Sequence, residues 1–316
     1  MKIQIVTPAA AAPGGNWVTA RRYARLLARL GHRVSVDVSY EGGPCDLLIA
    51  LHAWRSLDSI RRFRGVHPRA PLILVLTGTD LYRDIRIHSG ARWALESADR
   101  IIVLQPMGLR ALPSHLRRKT SVIHQSAENL PARPGPATYF RVINMANLRP
   151  EKDPFRTALA AARLPASSRV RVIHVGRALD RRMEEAAREQ ASKNPRYRWV
   201  GGLPHWKARR ILASSHLLVL TSRIEGSSNA LSEALASSVP VIASKIPGLV
   251  GTLGREYPGY FPVGNARALA GLLLRAESDS RFLAGLRRRC ARLAPLISPE
   301  RELNSWNRLL RSIWQG

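Results

Sequence analysis

Residues 216–244 read HLLVLTSRIEGSSNALSEALASSVPVIAS, and their pattern decides the fold. The run HLLVLTS predicts a buried strand, NALSEALASS predicts a short helix, and PVIAS predicts the next strand. A small polar turn, 226–229, joins the first strand to the helix, and such a corner binds anions through free N–H groups and the helix dipole. Two glutamates, Glu225 and Glu233, flank the turn eight residues apart. An ordinary turn with a surface glutamate on each side gives the same local pattern, so the rest of the chain has to decide.

Short apolar runs and helical patterns alternate along the whole chain in two halves. Near residues 129–138, NLPARPGPAT interrupts the alternation with three prolines and a glycine, which favours a linker there. We therefore predict an α/β protein with two doubly wound, Rossmann-like domains of parallel strands facing a cleft. The expected domains are residues 1–135 and 136–297, and a C-terminal helix at 298–316 is expected to cross back onto the first domain.

The first helix of this pattern lies between the strands KIQIVTP and HRVSVDVSY. Asn16 is its expected N-cap, and Gly31 suits the position just past its end. One face is apolar and is formed by Ala20, Tyr23, Ala24, Leu27 and Leu30. This spacing predicts an amphipathic helix packed on the sheet.

The composition is strongly basic, with a formal net charge of +28 over 316 residues. Arginine supplies 44 of the 50 basic residues, and the arginines are spread from Arg21 to Arg311 instead of forming one tract. Charged faces of solvated helices account for such a distribution. We expect a general attraction for anionic substrates and no specific nucleic-acid partner. A non-enzymatic nucleic-acid-binding protein stays as the remote alternative.

Cysteine and histidine usage argues against a metal or disulfide framework. Cys45 and Cys290 are far apart, and the nine histidines form neither an HExxH pair nor a cluster with cysteine. No apolar run approaches the roughly 20 residues that cross a bilayer. KIQIVTP fits a first strand better than a signal peptide, so we expect a cytoplasmic protein without cofactor or stable membrane insertion.

Chemistry-bearing residues follow the strands of the second half. Arg149 and Lys152 come directly after its first strand and suit a diphosphate, with arginine as a planar fork and lysine as a point charge. The amides of Ser227, Ser228 and Asn229 lie at the start of the later helix and suit the same charge. The two flanking glutamates cannot serve phosphates, so they are assigned to the hydroxyls of a sugar and of a ribose. The pattern indicates a nucleotide-sugar site.

The loop after the first strand, TPAAAAPGGNW, is a second candidate anion site. Gly14, Gly15 and Asn16 precede a helix N-terminus, where exposed amides favour an anionic group. The loop lacks the GxGxxG spacing of dinucleotide-binding folds, so NAD is not expected. An ordinary strand-to-helix turn would look the same.

Three further strand ends carry candidate binding residues. The run VLTGTDLYRD brings Thr79 and Asp80 to the end of a strand, and His52 ends the strand DLLIALH. A lone histidine at a strand end also serves purely structural roles. Backbone groups near Gly202 and Leu203, after YRWVGG, are candidates for holding a uracil.

The order of these parts resembles a GT-B glycosyltransferase of the large retaining family four. The shared parts are the glycine loop (Gly14 and Gly15), the Arg149–Lys152 pair and the E-x7-E segment. The stretch YPGYFPVGNARALAGLL also matches the family's late strand, turn and helix. The resemblance implies that Glu225 faces the donor sugar, that Glu233 binds the ribose, and that the cation pair stabilises the leaving diphosphate without metal.

Nearly the whole chain is similar to the selenosugar synthases of selenoneine biosynthesis. Among the similar stretches are GNWVTARRYARLLARLGHRV, LLIALHAWRS, LRPEKDPFRTALAAARLP and SRIEGSSNALSEAL. This resemblance implies transfer from a UDP-sugar, chiefly UDP-N-acetylglucosamine, to selenophosphate with formation of a carbon–selenium bond. From their places at the strand ends, we assign Gly15 to the UDP-sugar and also to the acceptor phosphate. The other acceptor residues are expected to be Gly14, Asn16, Thr79, Asp80 and His52.

Two departures from the broader family bear on the acceptor. The family's glycine-glycine and glutamate segment is SKIPGLVG here, without an acid. The length of 316 residues is short for the fold, which favours a small acceptor. The main alternative is a glycosyltransferase for a lipid or cell-envelope acceptor, anchored at the membrane by the final helix. The anchor would be the stripe Leu303, Trp306, Leu310, Ile313 and Trp314.

Overall fold

The computed structural model describes residues 1–8 and 14–314, which divide into two compact units. The first unit contains residues 1–125 and 299–316, and the second contains residues 126–298. The division therefore precedes the proline-rich segment 129–138, whereas the sequence suggested a boundary between residues 135 and 136. That segment is tied to the second unit, because the Arg133 N–H donates to the Ala213 carbonyl at 2.7 Å.

Six parallel strands form the sheet of the first unit, in the order β2-β1-β3-β4-β5-β6. The strands are β1 (Lys2–Val6), β2 (Arg33–Asp37), β3 (Leu47–Leu51), β4 (Leu72–Val75), β5 (Arg100–Val103) and β6 (Thr120–Val122). The helices along this part of the chain are α1 (Gly15–Arg29), α2 (Leu57–Val66), α3 (Ile85–Ile87), α4 (Ser89–Ser97) and α5 (Met107–Ala111). A single π-helical turn, Asp80–Asp84, leads into α3.

The second unit repeats this plan with another six parallel strands, in the order β12-β11-β10-β7-β8-β9. Its strands are β7 (Phe140–Met145), β8 (Val170–Val175), β9 (Tyr197–Trp199), β10 (Leu217–Leu220), β11 (Val241–Ser244) and β12 (Tyr260–Phe261). Its helices are α6 (Arg156–Ala161), α7 (Arg181–Lys193), α8 (His205–Ala213), α9 (Asn229–Ala236), α10 (Pro247–Leu253), α11 (Ala266–Ser278) and α12 (Ser280–Leu293). The predicted α/β class with two doubly wound parallel sheets is confirmed.

Continuous apolar runs produce these sheets because both faces of a parallel sheet are covered by helices. Every residue of β3 is buried. Successive side chains of a strand point to opposite faces, and the core divides accordingly. Leu48 and Ala50 belong to one apolar cluster, whereas Leu47 and Ile49 belong to another.

Helix α1 begins two residues earlier than the sequence suggested. Its N-cap is Gly14, so the prediction of Asn16 at that position is wrong. The Asn16 amide donates to the Thr77 hydroxyl at 3.4 Å, which takes the side chain away from the helix amides. The helix end agrees with prediction, because Gly31 follows it with φ +85°.

The last helix, α13 (Pro299–Trp314), belongs to the first unit. The Trp306 ring is fully buried and meets the Tyr23 ring of α1 edge-on at 4.7 Å. A buried ion pair accompanies it, with 3.1 Å between Arg22 Nε and Glu302 Oε2. Trp314 is the last residue of the helix and is not part of this buried group. It is 48% exposed.

No helix within the described ranges has both the length and the apolar character needed to cross a membrane. Cys45 and Cys290 are buried free thiols.

Candidate active site

Two loops at the same edge of the second sheet are fastened together. They follow β7 and β10, which are neighbours in the sheet. The Thr221 hydroxyl donates to the Lys152 carbonyl, and the Arg223 N–H donates to the Glu151 carbonyl, each at 2.8 Å. Asp153 adopts a left-handed conformation, φ +45°, directly after Lys152. These contacts fix the backbone position from which the Lys152 side chain extends.

Lys152 and Glu225, both predicted as catalytic, lie in direct contact. The lysine amino group pairs with Glu225 Oε1, and the Ser222 hydroxyl donates to the same oxygen at 2.8 Å. Glu225 is only 7% exposed. The buried carboxylate of Glu225 and the half-buried amino group of Lys152 therefore compensate each other's charge.

Arg149 precedes a 3₁₀ turn, Pro150–Lys152, at the same sheet edge. Its Nε atom is buried, and no described residue accepts a hydrogen bond from it. A buried donor without a partner is costly, particularly on a charged group. The Nε–H group therefore lacks an acceptor among the described residues.

The helix that follows the β10 loop starts where the sequence placed it. Ser228 is the N-cap of α9, and its hydroxyl accepts from the Leu231 N–H at 3.4 Å. Ser227 and Asn229, on either side of it, are half-buried. The residues proposed to supply amides to an anion therefore do flank the start of a helix.

Glu233 lies on α9 and has surroundings unlike those of Glu225. It is 6% exposed, and its Oε1 atom accepts from His205 Nε2 at 2.7 Å. Its Oε2 atom is buried, and among the described residues it has no hydrogen-bond partner. The sequence analysis missed His205, because the spacing of residues along the chain does not predict a contact between the first residue of α8 and Glu233 on α9.

The turn after β9 carries the residues proposed to hold a uracil. Gly201 has φ +70°, which favours glycine. Gly202 lies against the Arg177 side chain, and a Cβ atom there would overlap it. Leu203 is half-buried and packs against the core of the second unit. The turn leads directly into α8.

Gly248 is a second residue that the sequence analysis missed. It lies in the first turn of α10, and a Cβ atom there would overlap the Glu225 carbonyl. The stretch SKIPGLVG thus has a definite contact with the site through its glycine. Only the missing acid of this stretch attracted notice in the sequence.

In the first unit, the structure brings His52, Thr79 and Asp84 together. His52 Nε2 lies 2.9 Å from the Thr79 hydroxyl and 3.6 Å from Asp84 Oδ2. The Arg55 N–H donates to Nδ1 at 3.2 Å, so the ring proton of neutral His52 is on Nε2. Burial lowers the pKa of His52, and the charge of Asp80 opposes this. The backbone of His52 is strained, with φ +77°.

Asp80 organises the loop after β4 from a fully buried position. Its Oδ1 atom accepts from the N–H groups of Thr77 and Gly78 at 2.9 and 2.8 Å, and its Oδ2 atom accepts from the Ala53 N–H at 3.0 Å. These contacts join the β3 and β4 loops. A direct contact between Asp80 and the acceptor substrate stays a prediction.

The glycine loop of the first unit is described only in part. Gly14 and Gly15 start α1, and Asn16 connects this helix to the β4 loop through Thr77. The remainder of that loop, residues 9–13, lies outside the described residues. Within residues 1–8 and 14–314, no three His, Cys, Asp or Glu side chains are grouped so that they could hold a metal ion.

Comparison with known proteins identifies the family. A family model described as glycosyl transferases group 1 matches residues 125–295, which is more than half of the chain. The protein therefore belongs to the group 1 glycosyltransferases.

Similar solved structures agree with this family and show the GT-B fold that the sequence predicted. Anabaena HepE in complex with UDP and glucose has a TM-score of 0.79 at 18% identity, covering 99% of this chain and 100% of that one. A sucrose-phosphate synthase from Thermosynechococcus elongatus has a TM-score of 0.81 at 18% identity and covers 99% of both chains. A glycosyltransferase from Rickettsia africae has a TM-score of 0.71 at 15% identity, covering 100% of this chain and 99% of that one.

Proposed function

We propose that the second unit binds a UDP-sugar and that the protein transfers the sugar without a metal ion. The observation that carries this proposal is a pair of buried atoms without hydrogen-bond partners among the described residues, Arg149 Nε and Glu233 Oε2. One is a cationic donor and the other an anionic acceptor. A nucleoside diphosphate suits both, because it offers phosphate oxygens to the arginine and ribose hydroxyls to the glutamate.

Similar structures support the choice of donor. The HepE structures were solved with UDP and with UDP-glucose bound to that protein. In this chain, the Gly201–Gly202 turn and Leu203 are the candidate backbone contacts for uracil. The turn lies after β9 and runs into α8, whose first residue touches Glu233.

Sugar transfer separates charge, and the residues of the second unit match that charge. Breaking the bond between the anomeric carbon and UDP leaves negative charge on the diphosphate and oxocarbenium character on the sugar. Arg149, Lys152 and the amides around Ser228 would stabilise the diphosphate. Removing one such contact typically costs about 3 to 4 kcal/mol in the transition state. Fixed cations of the chain itself thus take the part that a metal ion plays in other transferases.

Glu225 is proposed to orient the donor sugar. Before the donor binds, its carboxylate is held by Lys152 and Ser222. An incoming diphosphate competes for the lysine, which releases the carboxylate toward the sugar hydroxyls.

For the acceptor we propose selenophosphate, with UDP-N-acetylglucosamine as the donor. Support comes from the near full-length resemblance to selenosugar synthases. Selenium attacks the anomeric carbon and forms the C–Se bond, while the C–O bond to UDP breaks and UDP leaves with the electron pair. The selenium of this product still carries the phosphate, and cleavage of the Se–P bond by water gives the 1-seleno sugar and phosphate. Selenium in selenophosphate already carries charge, so the reaction does not require a strong general base. Asn16, Thr79 and His52 are the polar side chains proposed for its phosphate, with Gly14 and Gly15 supplying amides.

The reaction itself tests this proposal. Purified protein supplied with UDP-N-acetylglucosamine and selenophosphate is expected to release UDP and to form a 1-seleno sugar, identified by its selenium isotope pattern in mass spectrometry. Thr79→Val is expected to reduce selenosugar formation while UDP binding persists, and Gly15→Trp should act in the same direction. UDP release at full rate without selenophosphate would exclude this acceptor and leave the donor assignment intact.

A further inference from the structure

His205 connects two parts of the proposed nucleotide site. It is the first residue of α8 and follows the Gly201–Leu203 turn with one residue between them. Its Nε2 atom lies 2.7 Å from Glu233 Oε1, on α9. A carboxylate only accepts hydrogen bonds, so Nε2 carries the proton and donates. The segment proposed for the base is therefore bonded directly to the glutamate proposed for the ribose.

This bond distinguishes the two oxygens of the Glu233 carboxylate. Oε1 is occupied by the histidine, whereas Oε2 is buried without a hydrogen-bond partner among the described residues. The Glu233 side chain is 8% exposed, and the His205 side chain is 61% exposed. A single oxygen is thus presented in a fixed direction, and its carboxylate is held by a residue at the protein surface.

We propose that His205 is a positioning residue for ribose recognition. By holding Oε1, it turns Oε2 toward one hydroxyl of the nucleotide ribose and couples that contact to the base-binding turn. This inference rests on the proposed binding of UDP by the second unit. It assigns to His205 a role that the E-x7-E spacing does not contain.

The test measures affinity and discrimination together, by calorimetry on the full chain. The ligands are UDP, 2′-deoxy-UDP and 3′-deoxy-UDP. The unmodified protein is expected to bind at least one deoxy analogue more weakly than UDP, since the analogue leaves Oε2 unpaired. His205→Leu is expected to weaken UDP about three- to tenfold, the range for a hydrogen bond to a charged group that is partly exposed. The same variant should bind that deoxy analogue nearly as the unmodified protein does.

Three further variants separate positioning from a general effect on α8. His205→Gln keeps an N–H donor at a similar reach and is expected to restore most of the preference for UDP. Trp206→Ala changes the next residue of the helix, which is 61% exposed, and is expected to leave all three affinities unchanged. In a Glu233→Ala background, His205→Leu is expected to have no additional effect.

Distinct results would overturn the proposal. Equal loss of affinity for UDP and both deoxy analogues in His205→Leu would assign His205 to helix stability alone. Unchanged UDP affinity in that variant would show that the bond does not orient Glu233. If the unmodified protein failed to bind UDP at all, the donor assignment would fall first, and this outcome is visible before any variant is made.

Discussion

At the scale of single residues, Glu225 and Glu233 show how two identical side chains acquire different roles. Glu225 is compensated by Lys152 and Ser222, whereas Glu233 keeps one buried oxygen without a partner among the described residues. The Glu225 carboxylate is paired with a cation, whereas the Glu233 carboxylate keeps one oxygen that can accept a hydrogen bond. The proposed roles, sugar for the first and ribose for the second, follow this difference.

Substituting each glutamate separately is expected to give different binding. Glu233→Ala should weaken UDP by about ten- to hundredfold, because a charge-assisted hydrogen bond contributes roughly 1.5 to 3 kcal/mol. Glu225→Ala should leave UDP affinity nearly intact and lower transfer from the full donor, since UDP has no sugar to orient. Calorimetry with UDP and a turnover assay measure the two effects. Melting temperatures identify any loss of folding, and equal losses of UDP affinity would contradict the assignment.

The sequence alone predicts some of these site residues and does not predict others. Arg149, Lys152, Glu225 and Glu233 stand out because they follow strand patterns at fixed spacing. His205 and Gly248 do not, because their contacts join residues far apart in the chain and depend on how α8, α9 and α10 pack. The unpaired state of Glu233 Oε2 is equally invisible before the fold places that atom.

At the scale of elements, a buried histidine joins the strands of the second sheet. His174 on β8 is completely buried; its Nε2–H donates to the Ala146 carbonyl, and its Nδ1 accepts from the Tyr197 hydroxyl, each at 2.8 Å. The neutral ring satisfies both of its nitrogens in this way. Burial lowers the pKa of His174 to about 4, from an ordinary value of 6.5.

This histidine predicts a definite dependence of stability on pH. Between pH 6.5 and 4 the unfolded chain binds a proton at this position that the native protein does not, so the free energy of unfolding decreases as the pH falls through this range. The contribution between pH 7 and 4.5 is about 2 to 3 kcal/mol. Denaturant unfolding of the unmodified protein and of His174→Gln measures it.

Comparing the unmodified protein with His174→Gln also controls for the titration of the other histidines. Burial also lowers the pKa of His52 and His124, and both residues are unchanged in the variant, so their contributions are expected to be equal in the two proteins. The difference between the two pH profiles therefore isolates position 174. Parallel profiles would exclude the assigned titration.

The regular elements were largely predictable, and the irregular ones were not. Continuous apolar runs predicted buried parallel strands such as β3 and β10, because such runs need cover on both faces. The start of α1 was misplaced, because Asn16 is a favourable N-cap residue whose side chain is used by Thr77 instead. The π-helical turn Asp80–Asp84 has no periodic signal, and it forms where Asp80 gathers three backbone N–H groups.

At the scale of the whole molecule, the net charge of +28 favours anionic substrates without naming one. The alternative with a lipid acceptor loses its proposed anchor, because Trp306 and Leu310 lie in the core of the first unit. Net charge and chain length are compatible both with a small acceptor such as selenophosphate and with a lipid acceptor. The packing of α13 removes the proposed anchor but leaves the acceptor itself to experiment.

The proposed metal independence of donor binding is tested on the complete protein. UDP is expected to raise the melting temperature equally with a chelator and with added magnesium, because Arg149 and Lys152 are fixed cations of the chain. A thermal-shift titration under both conditions makes the comparison. Loss of the UDP effect in chelator would refute metal-free donor binding.

The return of α13 to the first unit also bears on how the chain is made. Arg22 and Tyr23 leave the ribosome early, whereas their partners Glu302 and Trp306 lie 280 or more positions later. At about 5 to 20 residues per second, the wait is about 15 to 60 s. The second unit emerges whole during that interval, so it has the opportunity to fold before the first unit is complete. The amino-terminal part of this protein is therefore finished last.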